Sequence, residues 1–91
     1  MEISIRHNPQ AERFETTVEG VSAFLTYTLE EKVLTLLHTE VPPALEGKGI
    51  GSRVVKTALD YARQQGLLVI PRCPFVAHYI ERHQEYADLV D

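Results

Sequence analysis

Six consecutive residues near the middle of the chain, Gly47-Lys48-Gly49-Ile50-Gly51-Ser52, have the composition of an anion cradle. Glycine lets a backbone come close to a ligand, and the first amides of a following helix point outward without partners. Their partial positive charge favours a phosphate, and Lys48 adds a full charge beside them. Spacing excludes two familiar phosphate loops. A Walker loop closes on Gly-Lys-Ser/Thr, whereas Ser52 follows Gly51 directly. A dinucleotide fingerprint keeps two residues between its second and third glycines, whereas Ile50 alone separates Gly49 from Gly51. A nucleotide-phosphate binder of either kind is therefore disfavoured. A turn whose small residues merely permit close packing is the plainer reading, and it stays open on these residues alone.

Three further groups could do chemistry. Cys73 sits between Arg72 and Pro74, where a strand gives way to a helix. A helix start and a cation both favour thiolate over thiol, so Cys73 could serve as a nucleophile. A small buried residue at a helix cap explains it too. His38 and Glu40 fall on one strand face by the period of two and could relay a proton, though a polar outer face accounts for them equally. His78 is a third candidate base. Cys73, His78 and His83 do not form a metal set, because five-residue steps along a helix do not converge, and no metal is expected.

The elements that would position these groups are legible in the pattern. Ile3 and Ile5 alternate with polar residues up to Asn8-Pro9, a turn. Arg13–Val18 is a second strand, with Phe14, Thr16 and Val18 on one face. Glu19-Gly20 turns it into Val21–Leu29, and Glu30-Glu31-Lys32 leads on to Val33–Val41. Short connections in succession predict a four-strand antiparallel meander. From Lys48 the apolar residues Ile50, Val54, Ala58 and Ala62, with Val55 and Leu59 beside them, take helical spacing, and Gly66 stops the helix. Leu67–Ile70 is a continuous apolar run, which predicts a strand buried on both faces. Pro74 opens a second helix through Ile80, and Glu85–Val90 adds a helical turn. The expected class is α+β, with the fifth strand parallel to the fourth.

Composition bounds the partners. Ninety-one residues make one domain, 1–91, and the net charge of -4 argues against a general nucleic-acid binder. Yet Lys48, Arg53, Lys56, Arg63 and Arg72 stand against one acid, Asp60, in the segment they span. A local basic segment suits a compact polyanion, although a solvated helix face has the same look. Leu67–Ile70 is too short to span a bilayer, the N-terminus has no signal-peptide pattern, and the lone cysteine allows no internal disulfide. The expectation is a cytoplasmic protein that works without membrane or nucleic acid. Its oligomeric state is not legible.

The run His38-Thr39-Glu40-Val41-Pro42, the glycine turn and the amphipathic helix together resemble the acyl-CoA motif of the GNAT superfamily of N-acyltransferases. The superfamily pattern of Arg or Gln, two residues, Gly, one residue, Gly or Ala falls on Glu46, Gly49 and Gly51. Ile70 to Ile80 and His83-Gln84-Glu85-Tyr86 extend the similarity to a short, YjdJ-like subfamily over essentially the whole chain. Glu46 departs from the pattern, and the chain lacks the helices that larger members insert between the first two strands.

The resemblance implies an acetyl-CoA-dependent N-acetyltransferase acting on an amine. It implies phosphates on Gly47, Lys48, Gly49, Ile50, Gly51 and Ser52, with the pantetheine arm along Glu40, Val41 and Pro42. The Val41 amide would then be an oxyanion donor, and Tyr79 would stand where many GNAT enzymes keep a tyrosine that protonates the leaving sulfur. Cys73 would lie near that sulfur. The alternative is a non-catalytic acyl-CoA-binding or protein-interaction module, which the short chain and Glu46 favour.

Overall fold

A computed structural model describes residues 3–91. Strands β1 (Arg6–Asn8), β2 (Arg13–Val18), β3 (Val21–Glu30) and β4 (Val33–Glu40) form an antiparallel meander. A short 3-10 turn (Pro43–Leu45), helix α1 (Ile50–Gln65), strand β5 (Leu68–Pro71), helix α2 (Pro74–Arg82) and a 3-10 segment (Gln84–Leu89) follow. The sheet order is β1-β2-β3-β4-β5, and β5 pairs with β4 in parallel. The expected α+β architecture, with its parallel fifth strand, is the one observed.

Local chemistry explains the meander. Phe14 and Thr16 of β2 and Ala23, Leu25 and Tyr27 of β3 are buried, alternating with more exposed neighbours. Two of the three hairpins turn on two residues of positive φ, Glu19-Gly20 and Glu31-Lys32, the geometry whose twist matches antiparallel strands. Helix α1 lays Ile50, Val54, Val55, Ala58, Leu59 and Ala62 on the sheet, and Gly66 ends it in a left-handed conformation. Helix α2 packs beside α1, against β4 and β5. No helix among the described residues is long and apolar enough to cross a membrane.

Two local expectations are corrected. Ile3 and Ile5 precede the paired segment, which begins at Arg6; they pack on the core without joining the ladder. Leu67–Ile70 is not buried on both faces. Leu67 and Val69 are buried, but Leu68 is 43% exposed, because both helices lie on one side of the sheet and nothing among the described residues covers the other. A continuous apolar run does not by itself report a second covering layer.

The C-terminal segment is clamped to α1. The buried Tyr86 hydroxyl donates to Asp60 Oδ1 at 2.6 Å, Lys56 Nζ donates to Asp60 Oδ2 at 2.9 Å, and Arg63 pairs with Asp88 at 2.8 Å. Val90 then bridges to Val69 on the free edge of β5. Burial pushes the Asp60 carboxyl up, but Tyr86 and Lys56 outweigh it and hold the group below its ordinary range. That contribution to stability is present above the ordinary aspartate range and is lost as pH falls through the lowered value. Tyr86→Phe should destabilise the fold by about 1–2 kcal/mol, as for a hydrogen bond to a charged group. Thermal unfolding should register it as a fall of roughly 5–10 °C in Tm. An unchanged Tm would mean that the clamp contributes nothing.

Candidate functional site

The site lies where β4 and β5 part. Their pairing ends at Leu36 and Pro71, and the Cys73 amide makes a last bond to the Leu36 carbonyl at 3.1 Å. Strand β4 runs on through Leu37–Glu40 with no strand on that side among the described residues. A cavity of about 410 Å³ occupies the opening, lined by Thr39, Val41, the Leu45–Gly47 segment, Gly49–Ser52 and Phe75.

The glycine turn forms one wall. Gly47 and Gly49 have φ of +80° and +73°, a region that costs a side chain strain, and Gly49 caps α1. Helix α1 begins at Ile50, and its first backbone bond runs from Arg53 to the Gly49 carbonyl. Glu46–Gly49 close a turn, and among the described residues no well-aligned bond runs from the amides of Gly47–Ser52 to a protein acceptor outside it. No acidic residue stands in the first turn of α1, so its positive end is uncompensated there. The Val41 amide, just past β4, is likewise without a protein acceptor.

Gly51 plays a different part from its neighbours. A Cβ there would lie 3.0 Å from the Phe75 ring and 3.1 Å from Val41. It is a close-packing glycine that lets the helix start approach both side chains. The two readings of the glycine turn thus divide by position: Gly47 and Gly49 set the backbone, and Gly51 makes room.

Cys73 is buried at the cap of α2. Its thiol donates to the Thr39 hydroxyl at 3.5 Å. Burial pushes the thiol up, but bonds from the Thr39 hydroxyl, the Val76 and Phe75 amides and the Thr39 backbone outweigh it, leaving the group below its ordinary value. The helix start acts in the expected direction. Arg72 is not among the groups that lower it.

His38 and Glu40 do share a face, with Nε2 and Oε1 3.3 Å apart, but it is the open face of the sheet. The ladder slips at Leu37: Tyr27 pairs with Leu36 and Thr26 with His38, so Leu37 is an extra residue. An unbroken alternation from Leu34 and Leu36 would have carried His38 and Glu40 onto the helix side. The bulge instead places Thr39 there, opposite buried Leu25. Thr39 is therefore the side chain of β4 that meets Cys73, and the sequence reading missed it. Its only trace was the doubled Leu36-Leu37.

Tyr79 lies in a neighbouring cavity of about 360 Å³, lined by Ser52, Phe75, His78, Tyr79, Arg82 and His83. Ser52 and Phe75 border both cavities, so Phe75 is the partition between them. The Tyr79 ring stacks on His83 at 3.9 Å, and burial pushes its phenol above the ordinary tyrosine value. His78 sits 3.6 Å from Glu81 on the outer side of α2. Of the basic segment, Lys56 and Arg63 are engaged in the C-terminal clamp, whereas Lys48, Arg53 and Arg72 form no ion pair among the described residues. No cluster of three metal-ligating side chains is found among the described residues.

Comparison with known proteins agrees with this geometry. The chain superposes on the NMR solution structure of a GCN5-like protein from Staphylococcus aureus with a TM-score of 0.76. That match is 25% identical and covers 97% of this chain and 87% of the other. Protein NATD1 of Mus musculus is 30% identical over 84 residues, which are 89% of this chain and 76% of that protein. The human protein NATD1 is 29% identical over the same share of this chain and 74% of its own. The sequence pattern of the GCN5-related N-acetyl-transferases matches residues 13–89. The chain belongs to the GCN5-related N-acetyltransferase family.

Proposed function

We propose that this chain, acting as one domain over residues 1–91, binds acetyl-CoA and transfers its acetyl group to an amine in the cytoplasm. The observation that carries the reading is the glycine turn and the start of α1, which line the mouth of the strand opening with no acidic residue in the helix's first turn. The fit is supported by Gly51, where any side chain would intrude between Phe75 and Val41.

Acetyl-CoA supplies an acetyl thioester when bound. The chain's residues then divide the work. The amides of Gly47–Ser52, with Lys48 nearby, hold the pyrophosphate. The Val41 amide donates to the oxygen that becomes negative as the amine adds. Cys73, buried behind Thr39, which lines the opening, would act past it as the acid for the leaving thiolate or as a nucleophile. Tyr79 is the alternative acid, and its raised phenol keeps its proton at neutral pH. His38 and Glu40 stand on the open sheet face and line neither cavity, so either would take a proton from the amine only through water.

One observation favours a second reading, a binding module without catalysis: Glu46 lines the cavity and sets a carboxylate beside the proposed phosphates. Calorimetric titration with acetyl-CoA, CoA and ATP, then thioester consumption over a panel of amines, separates the two. The enzyme reading expects binding of both CoA species, weak ATP binding and turnover with at least one amine. Tight CoA binding without turnover would leave the module.

Charge provides a further test. Affinity for CoA should fall as salt rises, since exposed contacts are screened over about 8 Å at physiological ionic strength. Lys48→Glu should weaken it by roughly three- to tenfold, the scale of one exposed charge reversed. Affinity indifferent to both would mean that Lys48 is only a solvated surface residue.

A further inference from the structure

The cavity beyond Phe75 is unlike the cradle it adjoins. Its lining contains Arg82, His78, His83 and the Ser52 hydroxyl, and no carboxylate. Arg82 is exposed and forms no ion pair among the described residues, in contrast to Arg63, whose guanidinium is committed to Asp88 and the Glu85 carbonyl. The His83 ring is held in place by its Nδ1, 2.8 Å from the Tyr79 carbonyl, and by its stack on Tyr79. Ser52 belongs to both cavities and sits in the first turn of α1, so the positive end of that helix reaches the second cavity too. Two sites therefore stand side by side, one built of backbone amides and one lined by Arg82 and two histidines, of which His78 also faces Glu81 at 3.6 Å.

We propose that the second cavity holds the phosphate monoester on the cofactor's ribose, with Arg82 as its charged partner and Ser52 as a hydrogen-bond donor, so that this chain distinguishes CoA from dephospho-CoA. The inference rests on the CoA-binding reading above with the cofactor sulfur on the Cys73 side, since a ribose phosphate in this cavity leaves Tyr79 away from the sulfur. A nucleotide with a diphosphate at one end of its ribose and a monoester beside it matches two adjoining sites that share Ser52. Arg82 is the right group for the task, because its planar fork meets phosphate oxygens in pairs. The competing account is that Arg82, in the last turn of α2, serves only the negative end of its own helix.

Calorimetry on the wild-type chain and on Arg82→Gln, each titrated with CoA and with dephospho-CoA, decides between them. CoA should bind the wild type about tenfold more tightly than dephospho-CoA, the scale of one charge-assisted contact at a partly exposed site. Arg82→Gln should bring the ratio close to one while leaving dephospho-CoA affinity unchanged, which also shows that the variant is folded. Equal affinity of the wild type for both ligands would overturn the subsite and leave the glycine cradle standing. A tenfold ratio that survives in Arg82→Gln would overturn it as well, since the phosphate would then be held elsewhere. Failure of both ligands to bind the wild type would remove the cradle reading itself, and this proposal with it.

Discussion

Gly49→Val should abolish measurable CoA and acetyl-CoA binding, a loss of at least about 100-fold, while the protein remains folded. Gly49 has a φ of +73°, and a Cβ built on it meets nothing within 4 Å, so the harm comes from the backbone and not from a clash. A β-branched residue held in that region costs roughly 1–3 kcal/mol. An exposed turn escapes the cost by moving to negative φ, which swings the neighbouring amides out of their common direction. Each bond from such an amide to a charged oxygen is worth about 1.5–3 kcal/mol, so the loss of two suffices for the predicted effect. Gly20 supplies the control. It has a φ of +79° and equally open surroundings, but it lies in the β2–β3 hairpin. Gly20→Val should lower stability and leave CoA affinity unchanged. Gly51→Ala should behave differently again, because its methyl group meets Phe75 and Val41 and narrows the cavity from the side. Normal CoA affinity in a folded Gly49→Val would sink the cradle reading.

That contrast shows how far the sequence could be read. The strand faces of β2 and β3, the Glu19-Gly20 hairpin and the amphipathic side of α1 follow from local periodicity and turn chemistry and stand in the structure as expected. The expected Glu30-Glu31-Lys32 turn instead tightens to Glu31-Lys32, because Glu30 pairs with Val33. The roles of Gly49 and Gly51 could not be told apart beforehand, because what separates them is the Phe75 ring, 24 residues along the chain from Gly51. The faces of β4 beyond Leu36 were hidden for a similar reason. A bulge is set by where the neighbouring strand stays in register, and no glycine or proline marks the one at Leu37. The uncovered face of β5 was misread because an apolar strand looks the same whether one layer packs on it or two. The clamp of Tyr86 and Asp88 onto α1 depends on side chains that meet only once the chain has turned back past β5.

Cys73 is where a buried group and a catalytic one predict the most different results. Bonds from Thr39 and the start of α2 hold its thiol below the ordinary value against the opposing effect of burial. Alkylation should therefore reach half its maximal rate at a lower pH than for an unperturbed thiol. The sign is definite: a lowered pKa puts more thiolate at neutral pH, so reactivity near pH 7 should exceed that of a free thiol of equal exposure. Thr39→Val removes the hydroxyl and should move the midpoint upward, which a merely structural threonine would not do. Bound CoA should protect the thiol if Cys73 lies beside the cofactor sulfur. Cys73→Ala should lower kcat by about 10- to 100-fold and leave the Kd for CoA within a factor of about two, the pattern of a group needed only once the acetyl group begins to move. Mass spectrometry after mixing the wild type with acetyl-CoA alone divides the active routes. A transient 73-acetylated species means that the thiolate displaces CoA and forms its own thioester before the amine attacks. Without that species, the amine attacks directly and Cys73 gives its proton to the departing sulfur. Full activity in Cys73→Ala would reduce the cysteine to a helix cap and pass the acid's role to Tyr79, whose phenol lies across Phe75 in the adjoining cavity.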